Sequence, residues 1–423
     1  MSTNNMNPNS TSPIYIKSRR AVIEGKGLVE GHIVIKIQDG RFEKITTSDQ
    51  PIEISPEPNA RVFEADLVTP GFVDIHTHGV GGHKEGLEFW LHPEYTCGKV
   101  CAWGTTSVIA SVTFPKDDLE GVTDKVIKSI REKIGKRLGD GKTAIVDGIH
   151  AEGPIVADLG GLVEGKNKMS SDEFQAFLSK MGSDLKVMTI SPSLDYPNYE
   201  KIQLLNKNNI TVSLGHDKKC TEDHVLGALR HGSEEKPMHM THLFNVQSFH
   251  HRDVGLANFG LLSKWPNLPR YQGIHEPTVE FVGDLKHLHP LVVQLILSSK
   301  DLTKVACCTD AFLEPNAKQS ITYGGRELTV VTENNEDGPK LVIKGTTTMA
   351  GSCTTQLTIF HNLVNVFNVP IATAVAMLAH NPARIVKLDH KGIGSIKEGN
   401  RADVLLLNQH LDLQTTLVEG FVV

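Results

Sequence analysis

Between residues 72 and 308 the sequence repeats one theme eight times: a short apolar run, usually followed by an amphipathic segment. The runs are Phe72–Ile75, Ser107–Val112, Ala144–Ile149, Val187–Ile190, Ile210–Leu214, Met238–Thr241, Val279–Val282 and Lys304–Cys308. Stretches with helical spacing stand between them, among them Leu119–Leu138, Ser171–Met181, Glu222–His231 and Pro290–Leu297. Strand-then-helix alternation predicts a parallel sheet covered by helices, an α/β fold. Eight such units predict a closed (β/α)8 barrel of the TIM type, which carries catalytic groups at the C-terminal ends of its strands. A doubly wound open sheet is the alternative.

The two ends of the chain have a different texture. Short strand-like pieces appear at Ile14–Ile16, Gly31–Ile37 and Arg41–Ile45, punctuated by turns at Gly40 and Pro51. They reappear at Ala402–Leu407 and Leu417–Val423. Domain termini commonly lie close together, so residues 14–69 plus 390–423 are expected to form one small β-sandwich, with 70–389 as the barrel. Residues 1–13, polar and rich in Asn and Ser, read as a disordered tail without the apolar stretch of a secretory signal.

Composition excludes several classes of function. Hydrophobic residues make up 39% of the 423 and charged residues 22%, the balance of an ordinary globular protein. The net charge of −6 comes with no basic stripe, so nucleic acid is not an expected partner. The longest apolar runs, such as Leu291–Leu297, are too short to span a bilayer, and the cytoplasm is the expected location. Six irregularly spaced cysteines do not make a disulfide framework. Cys97 and Cys101 would share a helix face, but no second pair stands near to complete a zinc site, so all six read as reduced and buried.

The histidines are more informative. In Pro70-Gly71-Phe72-Val73-Asp74-Ile75-His76-Thr77-His78-Gly79, strand alternation points His76 and His78 to one face, within reach of one ion. The third run leads to Glu152 in His150-Ala151-Glu152-Gly153-Pro154; the fifth delivers His216, the sixth His242 and the eighth Asp310. Each alone reads as readily as a capping or loop residue. Four strands ending in a ligand type, beside a His-x-His strand, predict one metal centre. The glycines at 79, 81 and 82 lack nucleotide-loop spacing and read as a barrel loop. The apolar stripe from Thr354 to Val366 reads as packed core.

With these motifs the sequence resembles the amidohydrolase superfamily, and within it the N-acetylglucosamine-6-phosphate deacetylases. The resemblance rests on PGFVDIHTHG (70–79), HAEGP (150–154), VSLGHD (212–217), THLFNVQSFHHRDVG (241–255), VEFVGDLKHLHP (279–290) and TDA (309–311). It continues through AGS (350–352), HNPARIV (380–386) and GSIKEGNRADVLLLN (394–408). It implies a barrel with a small β-sandwich, and hydrolysis of the acetamide of an amino-sugar phosphate. Glu152, His216 and His242 would hold the principal metal. His76 and His78 would hold a second, with Glu152 and Asp310 shared. Zinc suits these ligands, though iron, cobalt or manganese would also fit. Asp310 would move the proton, Arg252 would bind the phosphate, and Asn245, the Val246 backbone and His287 would contact the substrate. A homodimer is implied, with a neighbouring chain contributing to the phosphate pocket. The sequence departs from the family at Gly160-Gly161-Leu162, where a substrate-contacting histidine is usual. Two rival readings share the fold: a cyclic-amide or nucleobase amidohydrolase, and a catalytically silent binding protein.

Overall fold

The computed structural model describes residues 12–118, 121–332 and 339–423. Its centre is an eight-stranded parallel sheet: Phe72–Thr77, Thr105–Val112, Ile145–Glu152, Leu185–Ile190, Thr211–Leu214, His239–Met240, Thr278–Val282 and Val305–Cys308. The strands pair strictly in chain order, which a doubly wound sheet does not do. Beyond the eighth strand the chain meets the first: Asp310 N–H donates to His76 O (2.8 Å), and His78 N–H donates to Ala311 O (2.9 Å). The buried Asp74 carboxylate tightens this seam by accepting from the Thr309 hydroxyl (2.6 Å) and backbone. The eight expected strands thus form a nearly closed barrel.

The strands are legible because both their faces are covered. All residues of the first three are buried, and a parallel strand walled in by helices reads as a continuous apolar run. Helices such as Val122–Lys133, Ser171–Met181, Glu222–Leu229 and Pro290–Ser299 supply the outer layer. Ser171–Met181 begins with a capping box: the Ser170 hydroxyl accepts from Glu173 N–H, while the Glu173 carboxylate accepts from Ser170 N–H. The helix expected from Leu119 starts partly outside the described residues, as does the polar tail.

Both chain ends build one further eight-stranded sheet. Ile14–Ile23 lies at its middle, antiparallel to Gly27–Gln38 and parallel to Arg61–Ala65 and Leu67–Pro70. The C-terminal Val404–Leu407 pairs with Leu67–Pro70. An apolar core of its own gathers Ile16, Ile33, Ile35, Phe42, Val404 and Leu406. Arg401 ties this sheet to the barrel, with Nη1 3.1 Å from Asp147 on the third barrel strand and Nη2 2.6 Å from Asp403.

A third sheet was not expected. Ile321–Tyr323, Arg326–Thr332 and Pro339–Ile343 form an antiparallel three-stranded cap inserted after the eighth barrel strand. It packs Tyr323, Leu328 and Leu341 onto Phe89, Phe312 and Leu313. All six cysteines are free and buried. No helix among the described residues is long and apolar enough to cross a membrane.

Candidate metal centre

Six side chains from five barrel strands or their C-terminal ends meet at one point. His76 and His78 leave the first strand on the same face, as period two requires. Glu152 is the last residue of the third strand. His216, His242 and Asp310 each stand two residues beyond the end of their strand, and each adopts a positive φ (52°, 26° and 48°). Non-glycine residues avoid that region, and such strain persists at positions the surrounding structure over-determines, commonly functional ones.

The two oxygens of Glu152 face different partners. Oε1 lies 3.0 Å from His216 Nε2, 3.2 Å from His242 Nε2 and 3.4 Å from His76 Nε2. Oε2 lies 3.0 Å from His78 Nε2. Opposite, Asp310 Oδ1 is 3.4 Å from His78 Nε2 and 3.6 Å from His76 Nε2. His216 and His242 bring their Nε2 atoms within 3.0 Å of each other. Ligands bound at about 2.0–2.1 Å around a tetrahedral ion stand about 3.3 Å apart, so these spacings suit a common ion. His216 donates Nδ1–H to Asp158 O (2.9 Å), which leaves Nε2 as the ligand atom.

The hydrogen bonding tells the same story. His76 Nε2, Glu152 Oε2 and His287 Nε2 are buried without a hydrogen-bond partner. Buried polar atoms normally find partners, so this concentration of orphans fits a group the protein side chains alone do not supply. The field fits as well. Burial would push the His76 imidazole down, but Glu152 and Glu280 outweigh it and hold the ring well above its usual range. Burial would raise Glu152; the His76 charge and the close approach of the His216 and His242 rings hold it well below the carboxylate range. Asp310 is also lowered, burial being overcome by the His78 hydrogen bond and the His76 and His78 charges. A pocket that favours positive charge this strongly favours a divalent cation for the same reason.

Around the cluster lies a narrow cleft lined by Gly161, Leu162, Asn245, Val246, Phe312, Tyr323, Met349 and Ala350. It has room for about 20 Å³, enough for about one water. Gly161 is required where it stands: a Cβ there would lie 2.7 Å from Ala350 Cα. Phe312 stacks on the His78 ring (4.3 Å between centroids, 16° between planes), and Tyr323 meets Phe312 edge-on at 4.9 Å.

Of the expected substrate residues, Asn245 and Val246 line this cleft. His287 approaches Asp310, its Nε2 3.8 Å from Oδ2, while its Nδ1–H donates to Asp284 at 2.8 Å. Arg252 is exposed and does not line the cleft. Leu162, where the family usually has histidine, is a buried wall residue. Three contributors escaped sequence reading: Glu280, the Phe312–Tyr323 pair, and His150, whose ring meets His76 edge-on at 4.5 Å. A lone glutamate inside the apolar Val-Glu-Phe-Val run was the available signal for the first.

Comparison with known proteins agrees with this geometry. The amidohydrolase family model matches residues 67–423. The chain belongs to the amidohydrolase family. An N-acetylglucosamine-6-phosphate deacetylase of Lysinibacillus sphaericus is 26% identical over 369 residues, 84% of each chain. An N-acetylgalactosamine-6-phosphate deacetylase of Escherichia coli O157:H7 is 24% identical over 96% of this chain and 98% of its own. Among solved structures, a mutant N-acetyl-D-glucosamine-6-phosphate deacetylase of Mycobacterium smegmatis, in complex with N-acetyl-D-glucosamine-6-phosphate, superposes with a TM-score of 0.77. It is 23% identical and covers 97% of this chain and 99% of its own. At that identity the superposition establishes the amidohydrolase fold. Amidohydrolases of this kind are metal-dependent, and the His/Glu/Asp cluster is where this one could hold its ion.

Proposed function

We propose that this amidohydrolase removes the acetyl group of N-acetyl-D-glucosamine 6-phosphate, giving D-glucosamine 6-phosphate and acetate. The observation that carries the reading is the Glu152 carboxylate set between two groups of imidazoles, with Asp310 beside them lining the cleft. Relatives that span most of the chain act on amino-sugar 6-phosphates by name, which supplies the substrate class.

Glu152, His216 and His242 would hold one divalent ion; His76 and His78 would hold a second, with Glu152 and Asp310 shared between them. The ion, zinc in this reading, supplies Lewis acidity that makes water a nucleophile near neutral pH and polarises the amide carbonyl. Asp310 takes a proton from the attacking water as the new C–O bond forms. When the C–N bond breaks, Asp310 returns that proton to the departing amine. Its lowered pKa keeps it ionised and able to accept at the start of the cycle. His287, oriented by Asp284, stands beside Asp310 and would meet the sugar. Asn245 and the Val246 backbone would contact it from the other wall. Arg252 offers the bidentate fork that phosphate prefers. Its exposure supports service to the cleft of a neighbouring copy, hence a homodimer, and cytoplasmic location fits a phosphorylated substrate.

The test is acetate release from four compounds: N-acetylglucosamine 6-phosphate, N-acetylgalactosamine 6-phosphate and the two unphosphorylated sugars. We expect the first to have the highest kcat/KM and the unphosphorylated pair the lowest. Preference for the galactosamine epimer would overturn the sugar assignment. No release from any, with metal bound, would overturn the deacetylase reading.

A further inference from the structure

We propose that Glu280 is a positioning residue that fixes His76 as a metal ligand and thereby decides whether the His76–His78 half of the centre holds an ion. The proposal rests on the metal reading above, and adds to it a residue that no comparison assigns.

Glu280 sits in the seventh barrel strand, Thr278–Val282, where every residue is buried. A carboxylate in such a strand is costly unless it is paired and hydrogen-bonded. Here it is. His76 donates Nδ1–H to Glu280 Oε1 at 2.7 Å, with the His76 side chain wholly inaccessible and that of Glu280 nearly so. His239 Nε2 approaches Oε2 at 3.4 Å, and the Glu280 carbonyl accepts from Leu243 N–H at 2.7 Å. The carboxylate therefore braces the first strand, and together with the Glu280 carbonyl it also holds the turn that carries His242, whose N–H donates to Oε1 at 3.4 Å.

The consequence for His76 is one of tautomer and aim. The metal-bound form of an imidazole is the neutral ring, with one N–H and one lone pair. With Nδ1–H committed to Glu280, the lone pair is on Nε2, the atom that faces Glu152 and Asp310 without a hydrogen bond. Carboxylate partners of this sort orient metal-binding histidines, and their loss typically weakens metal binding about 10–100-fold. His78 has a different support, the face of Phe312. The two histidines of one motif are thus held by separate means, one polar and one apolar.

A competing use of the same atoms exists. His76, Glu280 and Cys308 could together hold an ion of their own beneath the centre. That use would take His76 Nδ1 as a ligand atom in place of the 2.7 Å hydrogen bond it makes to Glu280.

Zinc titration against a competing chelator separates these cases, with wild type, Glu280→Gln, His76→Asn and the double variant compared at equal foldedness by circular dichroism. We expect His76→Asn to weaken one zinc selectively, and Glu280→Gln to weaken that same zinc about 10–100-fold. At that zinc the double variant should be no worse than His76→Asn, because there Glu280 acts through the His76 ring. Wild-type zinc binding in Glu280→Gln, or additive losses in the double variant, would overturn the proposal. So would a zinc lost in Glu280→Gln but kept in His76→Asn, which would indicate an ion beneath the centre. Unchanged zinc binding in His76→Asn would instead show that the His76 ligand role has failed, and would take this proposal with it. If Glu280→Gln does not fold, Glu280→Asp withdraws the carboxylate by one methylene. An unchanged zinc affinity there would also overturn it.

Discussion

Replacing Asp310 by Asn should abolish turnover while leaving the fold nearly untouched, and the structure says why. The fold-bearing contacts of this residue come from its backbone: its N–H donates to His76 O at 2.8 Å, and its carbonyl accepts from Ser352 N–H at 2.7 Å. Both survive the change. Its φ of 48° suits asparagine, one of the few side chains that enter this region readily; alanine would add backbone strain to the measurement. What asparagine loses is the ability to take and return a proton. Removing a general acid–base group costs about 10²–10⁴ in rate, about 3–5 kcal/mol of transition-state stabilisation. The assay is steady-state acetate release with a thermal melt on the same preparation. We expect kcat to fall at least about 100-fold, KM to stay within about threefold, and the metal-free form to keep its melting midpoint. A variant within tenfold of wild-type kcat would refute Asp310 as the proton carrier. A collapsed melt would refute the claim that its side chain carries no fold.

Three further outcomes follow from packing and charge. Phe312→Ala removes a buried ring that backs His78 and carries the cap; urea unfolding should show a loss of about 3–5 kcal/mol, and a loss under about 1 kcal/mol would refute the cap's packing role. Arg401→Met leaves Asp147 and Asp403 as buried carboxylates without their cation; it should cost about 3–5 kcal/mol by the same assay, and a neutral result would mean that the two sheets are not tied there. Stripping the protein with a chelator should lower its thermal midpoint, since an ion at 100 times its Kd stabilises by about 2.7 kcal/mol. An unmoved midpoint would speak against any ion in the centre.

Much of the barrel is legible in the sequence because burial on both faces of a parallel strand leaves an apolar run that chain order alone locates. The ends are less legible. The third run was expected to stop at Ile149, yet the strand continues to Glu152, because His150 and Ala151 keep pairing with Val187 and Met188. His150 hides its polarity by bonding to Ser111 and Thr189. Residues at strand ends announced themselves by type, since His216, His242 and Asp310 follow apolar runs directly. Glu280 did not: its partner His76 lies 204 residues away, and no local pattern encodes that pairing. The cap was unreadable for a related reason. Its strands are short and partly exposed, and its apolar residues pack on Phe89 and Phe312 from distant segments. For Arg252 the family resemblance implied phosphate binding, but sequence carries no information on which cleft an exposed loop serves.

The most direct test of the central claim is acetate release by chelator-stripped protein as divalent ion is returned, with bound metal counted in the same tubes, for wild type and Glu152→Gln. The account predicts an inactive stripped enzyme whose rate rises in step with bound ion to a plateau at one or two per chain, and a Glu152→Gln variant that neither holds the ions nor recovers. Stripped protein that releases acetate as fast as the metal-replete enzyme would contradict it.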